Sequence, residues 1–378
     1  MKMHMVAVSV VLVFAALAAC QQKDASRTSL PRSSRVTGEN ISELQRKAEV
    51  AREADQIPEA IRLYKQLVQL KPGSVEYWWY LGSLYYESDQ YPEGQTAFRR
   101  VTGLKPEMSL GWAMLGLCEF ETKDYERALV HLSRADDLKI PKQGDYYDVA
   151  KYHLALLLIR SAQFELAVQE MIEFLQSGKE TPQFTEAMGL AGLRKPLLPK
   201  ELPATEREVI LDVGRAMCDS AERRADAVEN DIRELLAKYP NVSQIHYMIG
   251  AMLLSSDPDR ALSEFKAELE VSPSHPQALV AIAQEYFKRG QFESALPYAE
   301  KAIKADSGYF TAHAVLGQIL ADGNLDVARG IRELQTAVRL APNQPQVHFA
   351  LGTAYVRAGR KEDAAKERAE FLRLRGQK

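Results

Sequence analysis

Residues 76–106 read EYWWYLGSLYYESDQYPEGQTAFRRVTGLKP. On a helix, Trp78, Leu81, Gly82 and Tyr85 fall at i, i+3, i+4 and i+7 and make one apolar stripe. Gly94, Phe98 and Val101 make a second stripe at i, i+4 and i+7. Ser88-Asp89-Gln90 separates the two like a turn, and Pro106, which has no N–H to continue a helix, stands just past the second. The stretch predicts a helix hairpin. Gly82 and Gly94 have no bulk where two antiparallel helices cross closely, while Trp78, Tyr85 and Phe98 fill the space around them.

The pattern returns 34 residues on with Trp112, Leu115, Gly116, Tyr125, Ala128, Ala135 and Leu138, and with Pro141 one place late. It resembles the tetratricopeptide repeat (TPR), whose pattern is Trp, Leu-Gly, Tyr, then Ala, an aromatic, Ala and Pro. Upstream, residues 41–74 hold Ala48, Ala60, Tyr64, Leu67 and Pro72 in phase and read as a capping unit. Residues 148–181 carry Leu154, Ala155, Phe164, Ala167 and Phe174, and a degenerate unit over 209–242 keeps Ala216, Val228, Ile232, Leu235 and Pro240. Gly250, Ala261, Phe265 and Pro273 belong to a unit whose inter-helix turn is one residue short. Ala283, Tyr286, Phe292, Ala295 and Ala302 follow, then a unit one residue long with Gly317, Gly330, Ala337 and Pro342. Leu351, Gly352, Tyr355, Ala364 and Phe371 close the series. The expectation is an all-α chain, a right-handed α-solenoid of about nine TPR-like hairpins, in blocks over 41–181 and 209–378.

At 378 residues, length alone suggests two or three domains, but repeats that need only their neighbours remove that requirement. A formal charge of −3 with no basic stripe argues against nucleic acid as a partner. Residues 1–19 have Lys2 and an apolar run from Met5 to Ala19, the layout of a secretory signal and short for a bilayer span. Leu17-Ala18-Ala19-Cys20 resembles the lipobox of bacterial lipoproteins. That resemblance implies an acylated Cys20 and a lipid anchor in the membrane. Because Gln21 follows, where an aspartate would retain the protein in the inner membrane, it further implies the periplasmic face of the outer membrane. The competing reading is ordinary cleavage beside an incidental cysteine. Residues 20–40 have no apolar period and read as a flexible tether reaching roughly 25 Å.

Residues 182–208 break the period. Pro196, Pro199 and Pro203 lie within eight residues and exclude a regular helix there. The segment reads as a surface connector between the blocks; its alternatives are a functional hinge and a stretch that folds back into a groove with Leu197 and Leu198 as anchors.

Residues capable of chemistry do not assemble into a motif. No histidine pair has HExxH or similar metal spacing, and His246, His313 and His348 share the repeat position of Trp78 and Trp112, which points to packing. Cys118 and Cys218 share a position two units apart, too far for a disulfide. Gly189-Leu-Ala-Gly192 is neither a phosphate loop nor a nucleophile elbow. Carboxylate pairs such as Glu268 and Glu270 read as exposed helix faces. No catalytic residue, metal or cofactor is expected.

The resemblance implies a scaffold or adaptor that binds proteins or peptides. The alternatives are a small-molecule or glycan carrier, and a hydrolase. In the resembled family the second stripe of each first helix lines the concave face. By position that stripe comprises Trp79, Ser83 and Tyr86 with Glu87 at the rim, Leu117 and Phe120 with Glu121, and Tyr152, Leu156 and Ile159 with Arg160. Large apolar and aromatic residues on one face predict a peptide with apolar anchors docked across the second to fourth repeats; the alternative is that some of these side chains merely pack against the next helix.

Overall fold

The computed structural model describes residues 32–142, 145–175 and 181–376, and the regular structure within them is entirely helical. The signal segment, Cys20 and the tether as far as residue 31 lie outside the described residues. Two compact units divide the chain.

The first unit runs to Ala187 and also includes Lys195–Leu202. Its hairpins pair α1 (Arg32–Glu53) with α2 (Ile57–Leu70), α3 (Val75–Glu87) with α4 (Tyr91–Leu104), α5 (Ser109–Glu121) with α6 (Tyr125–Asp137), and α7 (Asp145–Arg160) with α8 (Phe164–Leu175). The second unit comprises Met188–Arg194 and Pro203–Lys378. It pairs α10 (Arg207–Ala221) with α11 (Ala225–Lys238), α12 (Ile245–Leu253) with α13 (Pro258–Val271), and α14 (Pro276–Lys288) with α15 (Phe292–Ala305). The pairs α16 (Phe310–Asp322) with α17 (Val327–Leu340) and α18 (Pro345–Arg357) with α19 (Lys361–Arg375) complete it. The nine hairpins are the units that the period marks out. Helix α9 (Pro182–Gly192) stands outside the pairs.

Within a hairpin, small residues let the backbones approach. A Cβ on Gly82 would lie 2.8 Å from the Phe98 ring, and one on Gly317 would lie 2.5 Å from Leu334 Cγ and 2.8 Å from the Gly330 carbonyl. The turn between the paired helices has a second constant feature. Its central residue is left-handed at Asp55, Asp89, Lys123, Ala162, Arg223, Gly290, Asn324 and Gly359, which reverses the chain immediately after a helix. The α12–α13 turn, expected to be short, is the exception: no residue between Leu253 and Pro258 has positive φ.

Between hairpins a ring takes over. The indole N–H of Trp78 donates to the Pro72 carbonyl and that of Trp112 to the Pro106 carbonyl, both at 2.8 Å and both six residues upstream. Nε2 of His246, His313 and His348 makes the same reach to Pro240, Ser307 and Pro342 at 3.2, 3.1 and 2.8 Å. A carbonyl can only accept, so Nε2 carries the hydrogen. Nδ1 of each histidine then faces a carboxylate on the paired helix, Glu264, Glu333 and Glu367, at 2.7, 2.8 and 2.6 Å. The shared repeat position of tryptophan and histidine is therefore a shared structural task.

Several expectations are corrected. The tether does not extend to residue 40, because α1 begins at Arg32; once Ala48 and Ala51 are packed, each preceding residue extends the helix by one backbone bond at little cost. The connector over 182–208 is not a plain surface link, since it opens with α9 and buries Leu198 and Leu202. Pro182 does not prevent α9 because it occupies the first helical position, where its missing N–H has no partner to lose. Glu268 is not on an exposed face. It is fully buried, and its carboxylate accepts from the Gln244 and Tyr247 N–H groups at 2.9 and 3.2 Å, capping the first turn of α12 from the neighbouring helix. Cys118 and Cys218 are both buried, and burial pushes the Cys118 thiol well above its usual range. In the α10–α11 hairpin, burial and then a hydrogen bond to Asp219 push the Asp231 carboxyl up to about 6.

Candidate peptide-binding interface

The stripe expected to face a partner splits into buried and accessible parts. Trp79 is 1% exposed and meets Phe98 and Tyr146 edge-on at centroid distances of 5.6 and 6.1 Å. Ser83, Leu117, Leu156 and Ile159 are buried as well. None of these side chains is available to a ligand. A first helix in a stack is flanked both by its own second helix and by the next hairpin, so its second stripe serves packing too. The adjacent tryptophans have thus exchanged their expected roles, since Trp78 is the partly exposed one.

Tyr86, Glu87, Glu121, Tyr152 and Arg160 remain accessible, and Phe120 is 7% exposed at the edge of the same surface. Phe120 packs edge-on against Tyr125 at 5.4 Å and against the His153 ring at 4.6 Å. His153 donates from Nδ1 to the Val149 carbonyl at 2.7 Å. Burial holds its pKa down at about 4 against the pull of that carbonyl, so the ring is neutral at pH 7. The Arg160 guanidinium lies over the Tyr125 ring, 4.5 Å from its centroid. On the flank, Phe184 of α9 stacks on Phe174 at 3.8 Å and meets Tyr152 at 5.2 Å.

This surface is already occupied. The chain returns to it over residues 195–202, where a tight turn spans Pro199–Glu201. Leu198 is 1% exposed and Leu202 is buried, whereas Leu197, the other expected anchor, is only half-buried. Both Glu201 carboxylate oxygens accept from Arg160 Nη1, at 3.0 and 2.7 Å. One of them also accepts the Leu198 N–H at 2.8 Å, which closes the turn on itself. Lys200 Nζ sits 5.9 Å from the Phe120 ring centroid.

A second hollow of about 640 Å³ opens between α4, α5 and α6, lined by Arg99, Trp112, Leu115, Glu119, Val130 and His131. Its fully buried carboxylate, Glu119, is engaged by His131 Nδ1 at 2.6 Å and by Arg99 at 3.6 Å. Among the described residues no group of three or more His, Cys, Asp or Glu side chains could hold a metal ion, and no helix is long and apolar enough to cross a membrane.

Comparison with known proteins agrees with the repeat geometry. Over 99 residues, about a quarter of this chain, it is 27% identical to "Probable biofilm formation methyltransferase WspC" of Pseudomonas putida, and the match spans 23% of that relative's length. Among solved structures, a MamA double mutant is 25% identical, with 44% of this chain and 93% of that chain covered and a TM-score of 0.39. MamA from Desulfovibrio magneticus RS-1 is 27% identical, with 41% and 88% covered and a TM-score of 0.37. The tetratricopeptide repeat family matches residues 46–93, 82–140, 280–331 and 322–375, together just over half of the sequence. The chain belongs to the tetratricopeptide repeat family.

Proposed function

We propose that the protein is a scaffold that binds peptide segments of other proteins on the Phe120–His153–Arg160 face of its first unit, and that acylation of Cys20 anchors it in the bacterial envelope. The observation that carries the binding reading is the seating of residues 195–202, a stretch free of α-helix and held by a buried leucine and an arginine–carboxylate pair, on that face. A surface that receives one such segment has the shape and the charge to receive another. Membership of a repeat family whose units present ridges and grooves supports the same reading. The lipid anchor rests on the Leu17-Ala18-Ala19-Cys20 motif.

Photo-crosslinking from position 121 in intact cells tests the binding site. One protein should be captured by wild type and lost with Arg160→Glu and Phe120→Ala while circular dichroism stays native. Capture that survives both substitutions would place binding elsewhere. For the anchor, a fatty-acid analogue should label wild type and spare Cys20→Ser, since buried methylenes contribute about 0.8 kcal/mol each to membrane attachment; equal labelling removes the idea.

A further inference from the structure

We infer that residues 195–202 are a built-in occupant of this interface, and that the partner it takes carries an apolar side chain followed three places later by a carboxylate, in a turn begun by proline. The inference rests on the proposed binding function and names the chemistry of its ligand.

The occupant shows what the surface recognises. Leu198 and Leu202 are buried, the Glu201–Arg160 pair joins residues 41 apart in sequence, and Lys200 Nζ lies 5.9 Å from the Phe120 ring centroid. Nothing local in the chain requires that pair. Because Glu201 accepts the Leu198 N–H, the turn is shaped before it docks, and docking orders little additional backbone. Pro196, Pro199 and Pro203 keep the segment from joining a helix on either side. The contact is also built to be replaceable. The Arg160 and Glu201 side chains remain 35% and 34% exposed, so water and a competing carboxylate reach the pair.

A tethered occupant competes at an effective concentration on the order of millimolar, so a free peptide of like chemistry binds the closed protein weakly and the opened protein well. The probe is a fluorescein-labelled peptide of residues 195–204, titrated by anisotropy into the full chain and into Leu198→Ala/Glu201→Gln. The opened variant should bind at least about tenfold more tightly than wild type. Arg160→Glu in the opened background should abolish binding, as should replacing the glutamate of the peptide by glutamine. Equal affinity for both proteins, no binding to the opened one, or indifference to Arg160→Glu overturns the inference. Should the double variant lose its helical circular dichroism, the Glu201→Gln single variant carries the same titration. Faster amide exchange at Leu198 and Leu202 with tighter peptide binding then supports the inference, and unchanged values refute it. The probe needs no cellular partner. A failed titration with crosslinking still lost in Phe120→Ala removes only the occupant, whereas a successful titration with crosslinking unaffected removes only the partner site.

Discussion

In the first unit the ring that reaches back to a carbonyl six residues upstream is tryptophan, at 78 and 112; in the second it is histidine, at 246, 313 and 348. The indole supplies the N–H and a broad apolar face, and in the Trp112 case that face lies on the His131 ring at 5.3 Å. The imidazole supplies the Nε2–H and a second ring nitrogen that meets a glutamate of the paired helix, with a proton between ring and carboxyl. The same joint is therefore closed by dispersion in one unit and by a charge-assisted contact in the other. The turns inside the hairpins differ in parallel. Left-handed centres in the first unit are Asp55, Asp89, Lys123 and Ala162, none of them glycine, whereas the second unit uses glycine at 290 and 359 beside Arg223 and Asn324. What unites the units is the repeat geometry; what distinguishes them is which force fills each fixed place.

The comparison can be broken most severely at the helix crossings. Gly317→Ala should cost about 3 kcal/mol, because its Cβ meets a backbone carbonyl as well as Leu334. Gly82→Ala should cost less, about 1–2 kcal/mol, since only the Phe98 ring must give way. Tryptophan emission reads the second case, as all three tryptophans lie in the first unit, and circular dichroism during urea unfolding reads the first. Equal costs would mean that both crossings relax alike.

A double-mutant cycle on His313 and Glu333 should return a coupling of about 1.5–3 kcal/mol, the range for a hydrogen bond to a charged group. Trp112→Phe removes the indole N–H and part of the apolar face that lies on His131, and should cost about 1–2 kcal/mol. If the histidine cycle gives no coupling, the contrast between the two joints fails.

Acidity sharpens the contrast, because the Asp219–Asp231 pair belongs to the second unit alone. The Asp231 carboxyl is raised above its unfolded value, so its contribution to stability is complete below about pH 3.8 and is lost as pH rises through about 6. Asp231→Asn should raise the melting temperature of the second unit at pH 8 and flatten its change between about pH 4 and 6. Tryptophan-detected melting of the first unit should not respond. A wild-type slope that persists in the variant would assign it to other groups.

The smallest effect is expected at the turn centres. Ala162→Gly should stabilise the first unit by a few tenths to about 1 kcal/mol, because alanine in the left-handed region is strained and glycine is not. A matching gain from Asp89→Gly would contradict this, since aspartate tolerates that conformation.

The nine hairpins were legible because each repeats a pattern of residue sizes, and size is what a helix crossing selects. Family membership was equally legible from Trp112, Leu115 and Gly116. The distinction between Trp78 and Trp79 was not. A helical wheel gives the angle between adjacent residues but does not reveal that both flanks of a first helix are covered. Helix α9 was hidden by Pro182, which looks the same in sequence whether it starts a helix or stops one. Phe120 and Arg160 lie beside residues 195–202, a segment that the sequence offers only as an alternative to a surface connector. Its turn has no helical period, and its ion pair links positions 41 apart, so no local pattern announces it.

The ring-to-carbonyl bond also acts as a gauge of chain length. All five rings reach back six residues, although the hairpins they belong to differ in size: the turn after α16 runs from Gly323 to Asp326, while that after α18 runs only from Ala358 to Arg360. The six-residue reach is kept although the joints differ in length too: residues 71–74 separate α2 from α3, while residues 239–244 separate α11 from α12. An added residue within a hairpin disturbs one turn, whereas one added between Pro106 and Trp112 would pull the donor from its acceptor and shift every later hairpin of that unit. At each of these five joints the tolerance for an added residue is thus set by a single N–H.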